Sequence, residues 1–245
     1  MPLLPLSDRA IRYETRGAGA PVVLAHPLGF SSRIWERVTF PEHVQVVAYD
    51  LRGAAMGALV RDAEALMDAL GLRDAVFIGA GLGGLVAQGL AVKRLDLVRG
   101  MVLMNTAAKI PATATWRALQ TGATEMAPLV EPIIARSFAP AARRSEAADQ
   151  ARAMLSTCDP AAYAAGAAAI EGTDFYTTTA TLALPTLVLA GTDDAITPPD
   201  LVRETAELIA GADFRLLRRS GHLPALDAPE ALSEAITAFL ARIGH

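Results

Sequence analysis

The stretch VFIGAGLGGLVAQGLA (Val76–Ala91) decides how the rest of the chain is read. An apolar run, Ala75–Ala80, passes into a turn spelled Gly79-Ala80-Gly81-Leu82-Gly83, and Leu82–Lys93 follows with a helical pattern. A strand that folds sharply into a helix needs unusual backbone angles and close chain approach, and glycine supplies both. The centre of the turn, Gly81, has no side chain. Whatever this turn presents to a ligand, it presents with backbone alone.

The same rhythm extends in both directions. Pro21–His26, Val44–Asp50, Gly100–Thr106, Pro185–Gly191 and Asp213–Arg219 are short runs rich in Val, Leu and Ile. Most lack polar alternation, which suits strands covered on both faces. Ile11–Gly17 does alternate and reads as an edge strand. Between the runs lie helical patterns. Met56–Gly71 carries a stripe of Leu59, Ala63, Leu66, Met67 and Leu70, with Gly71 placed to end it. Pro199–Ile209 begins where Thr197 precedes Pro198 and Pro199, a sensible helix start, and Pro229–Ile243 has Asp227 ahead of it as a possible N-cap. This alternation predicts an α/β fold with a doubly wound, mostly parallel sheet. Residues 111–181 break the rhythm with helical patterns and no strand. They read as a helical cap inserted into a core made of residues 1–110 and 182–245.

Composition narrows the function classes. A chain of 245 residues with 52% hydrophobic content can bury one sizeable core. A net charge of −4 argues against nucleic acid or an anionic membrane as partner, because either calls for a basic surface. The single cysteine, Cys158, excludes an internal disulfide and reads as structural. No apolar run is long enough to span a membrane. The N-terminal MPLLPLSDRAIRYETRG has no basic region leading into an apolar core, so a cytoplasmic location is expected. There is no phosphate loop and no cluster with metal-ligand spacing. The GAGLGG segment lacks the last glycine of a dinucleotide fingerprint, so no cofactor is expected. Oligomeric state is left open.

Three further segments bear chemistry. GTDDAITPP (Gly191–Pro199) follows a strand and offers Asp193 and Asp194. RRSGHLPAL (Arg218–Leu226) follows the last strand and offers His222. A histidine there can reach across the sheet edge to an acid and act as general base, held in one tautomer by that acid. The order elbow, Asp, His along the chain agrees with such an arrangement. HPLG (His26–Gly29) closes the early strand in a tight turn and holds the competing histidine, His26.

With YDLRG (Tyr49–Gly53), NTAAKI (Asn105–Ile110), LPTLVLAGTDDAITPP (Leu184–Pro199) and SGHLPALDAPEAL (Ser220–Leu232), the chain resembles the α/β-hydrolase family over nearly its whole length. The likeness is to the 3-oxoadipate enol-lactonase-like branch. The resemblance implies a nucleophile at position 81, Asp194 as the acid with Asp193 as runner-up, and His222 as the base. It also implies an oxyanion hole from the backbone N–H groups of Leu28 and Leu82, and a small ester, lactone or carboxylate as ligand. Trp116, Phe138 and Tyr163 are the candidate pocket aromatics, with Phe175 and Tyr176 behind them. Arg136, Arg143, Arg144 and Arg152 are candidate partners for a carboxylate.

The chain departs from the pattern twice. Position 81 is Gly where the family has serine. After Arg52-Gly53, the family usually carries a further loop of about a dozen residues; here AAM leads straight into the next helix. Ser31, Ser32, Thr106 and Ser220 offer hydroxyls, but none lies on an elbow. The expectation is an ester or enol-lactone hydrolase scaffold that is inactive or severely impaired, altered by design or by relaxed constraint. Two alternatives stand beside it: a non-hydrolytic enzyme using the His222–Asp194 pair as acid and base, and a ligand-binding pseudoenzyme.

Overall fold

The computed structural model describes residues 2–6, 9–111 and 125–245. Among them, eight strands form one sheet: β1 (Leu3–Pro5), β2 (Ala10–Gly17), β3 (Ala20–Ala25), β4 (Val44–Tyr49), β5 (Ala75–Ala80), β6 (Val98–Met104), β7 (Thr186–Gly191) and β8 (Asp213–Leu217). Their order across the sheet is β1-β2-β4-β3-β5-β6-β7-β8. All pairings are parallel except β1 with β2 and β2 with β4. The mostly parallel α/β sheet is as the sequence predicts. One detail differs: the alternating strand Ile11–Gly17 is not the edge, because β1 pairs outside it. Three residues starting at Leu3 gave too short a pattern to read as a strand.

The helices are α1 (Met56–Ala69), α2 (Leu82–Lys93), α3 (Ala127–Ser137), α4 (Glu146–Ser156), α5 (Pro160–Glu171), α6 (Tyr176–Thr179), α7 (Pro199–Leu208), α8 (Pro224–Asp227) and α9 (Pro229–Arg242). Alternate residues of each central strand feed two separate cores. Val23, Phe77, Leu103 and Val188 pack with Leu59, Leu66, Leu85 and Val202 from α1, α2 and α7. Val22, Ile78, Val102 and Leu189 pack with Ile34, Trp35, Ile236 and Phe239 on the opposite face. The buried stretch of each central strand is therefore largely apolar, which is why it lacks polar alternation.

Helix ends agree with the sequence reading only in part. Gly71 has φ +66 and lets Leu72 N–H reach back to Met67 O (2.9 Å), ending α1 as expected. Asp227, however, does not cap α9. It belongs to α8, Ala228 sits at the cap position, and the Asp227 carboxylate is turned to Ser220 and Gly221. At the start of α7, Pro198 occupies the N-cap position without a side-chain hydrogen bond, and the Thr197 hydroxyl donates to Asp194.

The connection after Arg52 is as short as the sequence reads. Three residues follow Arg52 before α1 begins at Met56. Helices α3 to α6 all lie between β6 and β7 in the chain. Of these, α5 packs against the carboxyl ends of the strands: a Cβ on Gly53 would stand 2.3 Å from Ala162 Cα, and one on Gly166 would stand 2.6 Å from the Leu28 side chain.

Candidate active site

The site lies where the sheet's chain order reverses. From β3, the chain goes to β4 on one side and then returns to place β5 on the other, so the loops leaving β3 and β5 diverge. In open α/β sheets, that divergence at the carboxyl edge opens a crevice. Register brings the two exits level, with Ala25 beside Gly79. His26–Gly29 and the Gly79–Gly83 turn therefore emerge side by side.

Gly81 sits at the centre of the turn with φ +49 and ψ −113, the N-cap of α2. Side-chain-bearing residues rarely adopt these angles. The turn is pinned from several directions. Gly81 N–H donates to Met104 O (3.0 Å), and its carbonyl accepts from the Thr106 hydroxyl (2.8 Å) and Gly84 N–H (3.0 Å). Gly83 lets α2 lie close to β3, since a Cβ there would meet Ala25 O at 2.2 Å. A Cβ on Gly81 would lie 3.3 Å from His222 Nε2 and 3.2 Å from Pro27 Cβ. Position 81 thus faces the imidazole directly.

His222 is buried on the loop after β8, held by its own N–H donating to Ser137 O at 2.8 Å. Its Nδ1 is 2.8 Å from Asp194 Oδ2. Because that carboxylate accepts, Nδ1 carries the proton, and Nε2 keeps a lone pair. Nε2 has no hydrogen-bond partner among the described residues. Asp194 follows β7 and is itself held by four donors: His222, the Thr197 hydroxyl (2.7 Å), and the N–H groups of Ile196 (2.7 Å) and Thr197 (3.0 Å). Asp193 is exposed and does not reach His222.

Two residues that the sequence did not single out support this loop pair. Asn105, buried at φ +44 just after β6, donates from Nδ2 to Gly221 O (2.9 Å) and accepts from Gly191 N–H at Oδ1 (2.8 Å). It ties the Asp194 loop to the His222 loop. Asp227 accepts from the Ser220 hydroxyl (2.6 Å) and Gly221 N–H (2.7 Å). Burial, opposed by these hydrogen bonds and aided by the charges of Asp194 and Asp193, pushes its carboxyl up to about 6. The φ at Asn105 could not be read from sequence, and Asp227 looked like a helix cap.

His26 has a different role. Leu51 N–H donates to its Nε2 (2.8 Å), so the ring proton is on Nδ1, which donates to Pro27 O (2.8 Å). Burial lowers its pKa and keeps it neutral. It fixes the loop that carries Leu28. The N–H groups of Leu28 and Leu82 have no acceptor among the described residues, and both residues line the same cavity as Gly81 and His222.

That cavity is otherwise apolar, walled by Phe30, Ile110, Ile133, Tyr163, Ile170 and Ile196, with Arg136 and Ser137 at one side. Tyr163 lines it. Phe138 does not: the chain leaves α3 extended there and buries the ring in the core instead. Trp116 lies outside the described residues. Phe175 and Tyr176 lie elsewhere, Phe175 lining a groove beside α1 and α2. Of the four arginines, only Arg136 lines the cavity. Arg143 is spent on the carbonyls of Ala135 and Phe138, Arg152 on Glu131 and Asp149, and Arg144 is exposed. None of the hydroxyls of Ser31, Ser32, Thr106 and Ser220 lines it. Cys158 is half-buried, and burial raises its thiol pKa. Among the described residues, no group of three His, Cys, Asp or Glu side chains could hold a metal, and no helix is long and apolar enough to cross a membrane.

Comparison with known proteins agrees with this architecture. Residues 22–235 match the model of the alpha/beta hydrolase family. The 3-oxoadipate enol-lactonase 2 of Acinetobacter baylyi is 26% identical over 257 residues, covering 98% of this chain and 96% of that protein. The crystal structure of a hydrolase from Pseudomonas aeruginosa PA01 superposes with a TM-score of 0.90 at 30% identity, covering 98% of this chain and 97% of the other. The enol-lactonase from Burkholderia xenovorans LB400 superposes with a TM-score of 0.92 at 26% identity, covering 98% and 100%.

Proposed function

Because the chain belongs to the alpha/beta hydrolase family and has an ester- and lactone-hydrolase type of scaffold, we propose that it binds a small ester, lactone or carboxylate at Gly81 but cannot form an acyl-enzyme. The observation that carries this reading is the 3.3 Å between a Cβ built on Gly81 and His222 Nε2. A hydroxyl or thiol one bond beyond that Cβ would be within hydrogen-bond reach of the base, and glycine removes it.

The remaining groups retain defined work. The ester carbonyl oxygen sits against the N–H groups of Leu28 and Leu82, each such donor being worth roughly 3 kcal/mol as negative charge develops. Water takes the room beside Gly81. His222 Nε2 removes its proton as the oxygen attacks the carbonyl carbon, and Asp194 steadies the imidazolium through Nδ1–H. The tetrahedral intermediate collapses, and His222 returns the proton to the departing alcohol or enol oxygen. Without a covalent intermediate, this route runs about 10³- to 10⁶-fold slower than the serine route on the same scaffold. Since Nε2 is a free base facing a cavity, the same pair could also move a proton to and from a bound carbon acid, and this is the second reading.

Stopped-flow hydrolysis of p-nitrophenyl acetate tests the first. The expected trace has no burst, and its slow saturable rate disappears in His222→Ala. A burst equal to the protein concentration would mean that another side chain attacks, and the reading would be wrong. Deuterium exchange at the α-carbon of a bound ketone, without any ester turnover, would favour the second reading.

A further inference from the structure

We infer that the cap side of this cavity is a carboxylate subsite formed by Arg136 and Ser137, so that the ligand carries an anionic group in addition to the carbonyl at Gly81. The inference rests on the proposed ligand site and names what that ligand must contain.

Three observations converge. First, the cavity lining contains no Asp or Glu, and Arg136 is its one permanently charged side chain. Second, Arg136 has no carboxylate within ion-pair distance among the described residues; its Nη2 donates only to Ala195 O, at 3.1 Å. A guanidinium has five N–H donors in a planar fork, so most of that fork is left for a ligand. Third, the Ser137 hydroxyl is fully buried and has no hydrogen-bond partner among the described residues. A buried hydroxyl without a partner is destabilising unless a ligand in the cavity meets it. Arg136 and Ser137 are adjacent at the end of α3, and Ser137 O holds the His222 N–H, so the subsite is anchored to the base itself. The cavity is small, about 50 Å³, which favours a short chain between the two polar groups.

Arg136 could instead be only a strut between α3 and the Asp194 loop, since Ala195 N–H also donates to Arg136 O. A strut would not distinguish charged from neutral ligands, and this difference defines the test. Binding of 4-oxopentanoate and of its neutral amide, 4-oxopentanamide, is measured by calorimetry on the unmodified chain at low salt. The expected result is at least about tenfold tighter binding of the carboxylate, as charge-assisted bonds to a fork require. The preference should vanish in Arg136→Gln and persist, weakened, in Ser137→Ala. Equal binding of acid and amide by the unmodified chain would overturn the subsite while leaving the ligand site at Gly81 intact. Binding of neither would overturn both. The comparison on unmodified protein does not depend on the variants folding.

Discussion

At residue 81 the backbone favours glycine, whereas the proposed serine-type chemistry would need a side chain. The φ of +49 suits glycine and strains any other residue, at a cost of about 1–3 kcal/mol. Gly81→Ala should lower stability by that amount in a denaturant titration and gain no activity. Asp227 carries a second residue-level prediction. Its folded pKa, raised to about 6, lies above the ordinary carboxylate value of 3.8. The fold therefore favours the protonated form. Its contribution to stability is full below about pH 4 and is lost as pH rises through about 6, by at most about 3 kcal/mol. Asp227→Asn should flatten the fall in thermal midpoint between pH 4 and pH 6.5. An unchanged slope would mean that Asp227 titrates normally. The roles of Asp227 and Thr197 were hidden in the sequence, because an Asp or Thr just ahead of a proline-led helix reads as part of the helix start. Only the fold turns those side chains toward the His222 and Asp194 loops.

At the scale of elements, the Gly79–Gly83 turn and α5 depend on close approach. Gly53 is the point where α5 descends onto the short connection into α1. A Cβ there would meet Ala162 backbone at 2.3 Å, so Gly53→Ala must push α5 outward. The expected cost is about 1–3 kcal/mol of stability, with weaker ligand binding because α5 carries Tyr163 and Ile170 into the cavity. Retention of both stability and affinity would show that α5 moves freely. The central strands were legible because two-sided burial leaves an unbroken apolar run, and α1 because its stripe has a helical period. The helices between β6 and β7 were legible as helices but not in their facing. That is why Phe138, next to Ser137 in sequence, turned out to be core rather than wall.

For the molecule as a whole, the sheet's carboxyl edge is one connected hydrogen-bonded assembly. Asn105, just after β6, bonds Gly191 at the end of β7 and Gly221 before His222, so the exits of three strands are fixed relative to each other through one side chain. Asn105→Ala would leave two buried backbone groups without partners and should cost about 2–4 kcal/mol, with slower His222-dependent turnover. If stability is unchanged, the two loops are held by something else. Asp194 and His222 stand just after the last two strands of the chain, which the sequence reveals. The link between them through Asn105 depends on a left-handed residue and a side-chain direction, which it does not.

The central claim is that everything needed for acyl transfer surrounds Gly81 except the attacking atom. Its most direct test is pre-steady-state hydrolysis of p-nitrophenyl acetate by Gly81→Ser beside the unmodified chain. A folded Gly81→Ser variant should show a burst and a turnover about 10³-fold higher or more, both abolished by adding His222→Ala. A folded Gly81→Ser variant that shows neither burst nor gain would contradict the account.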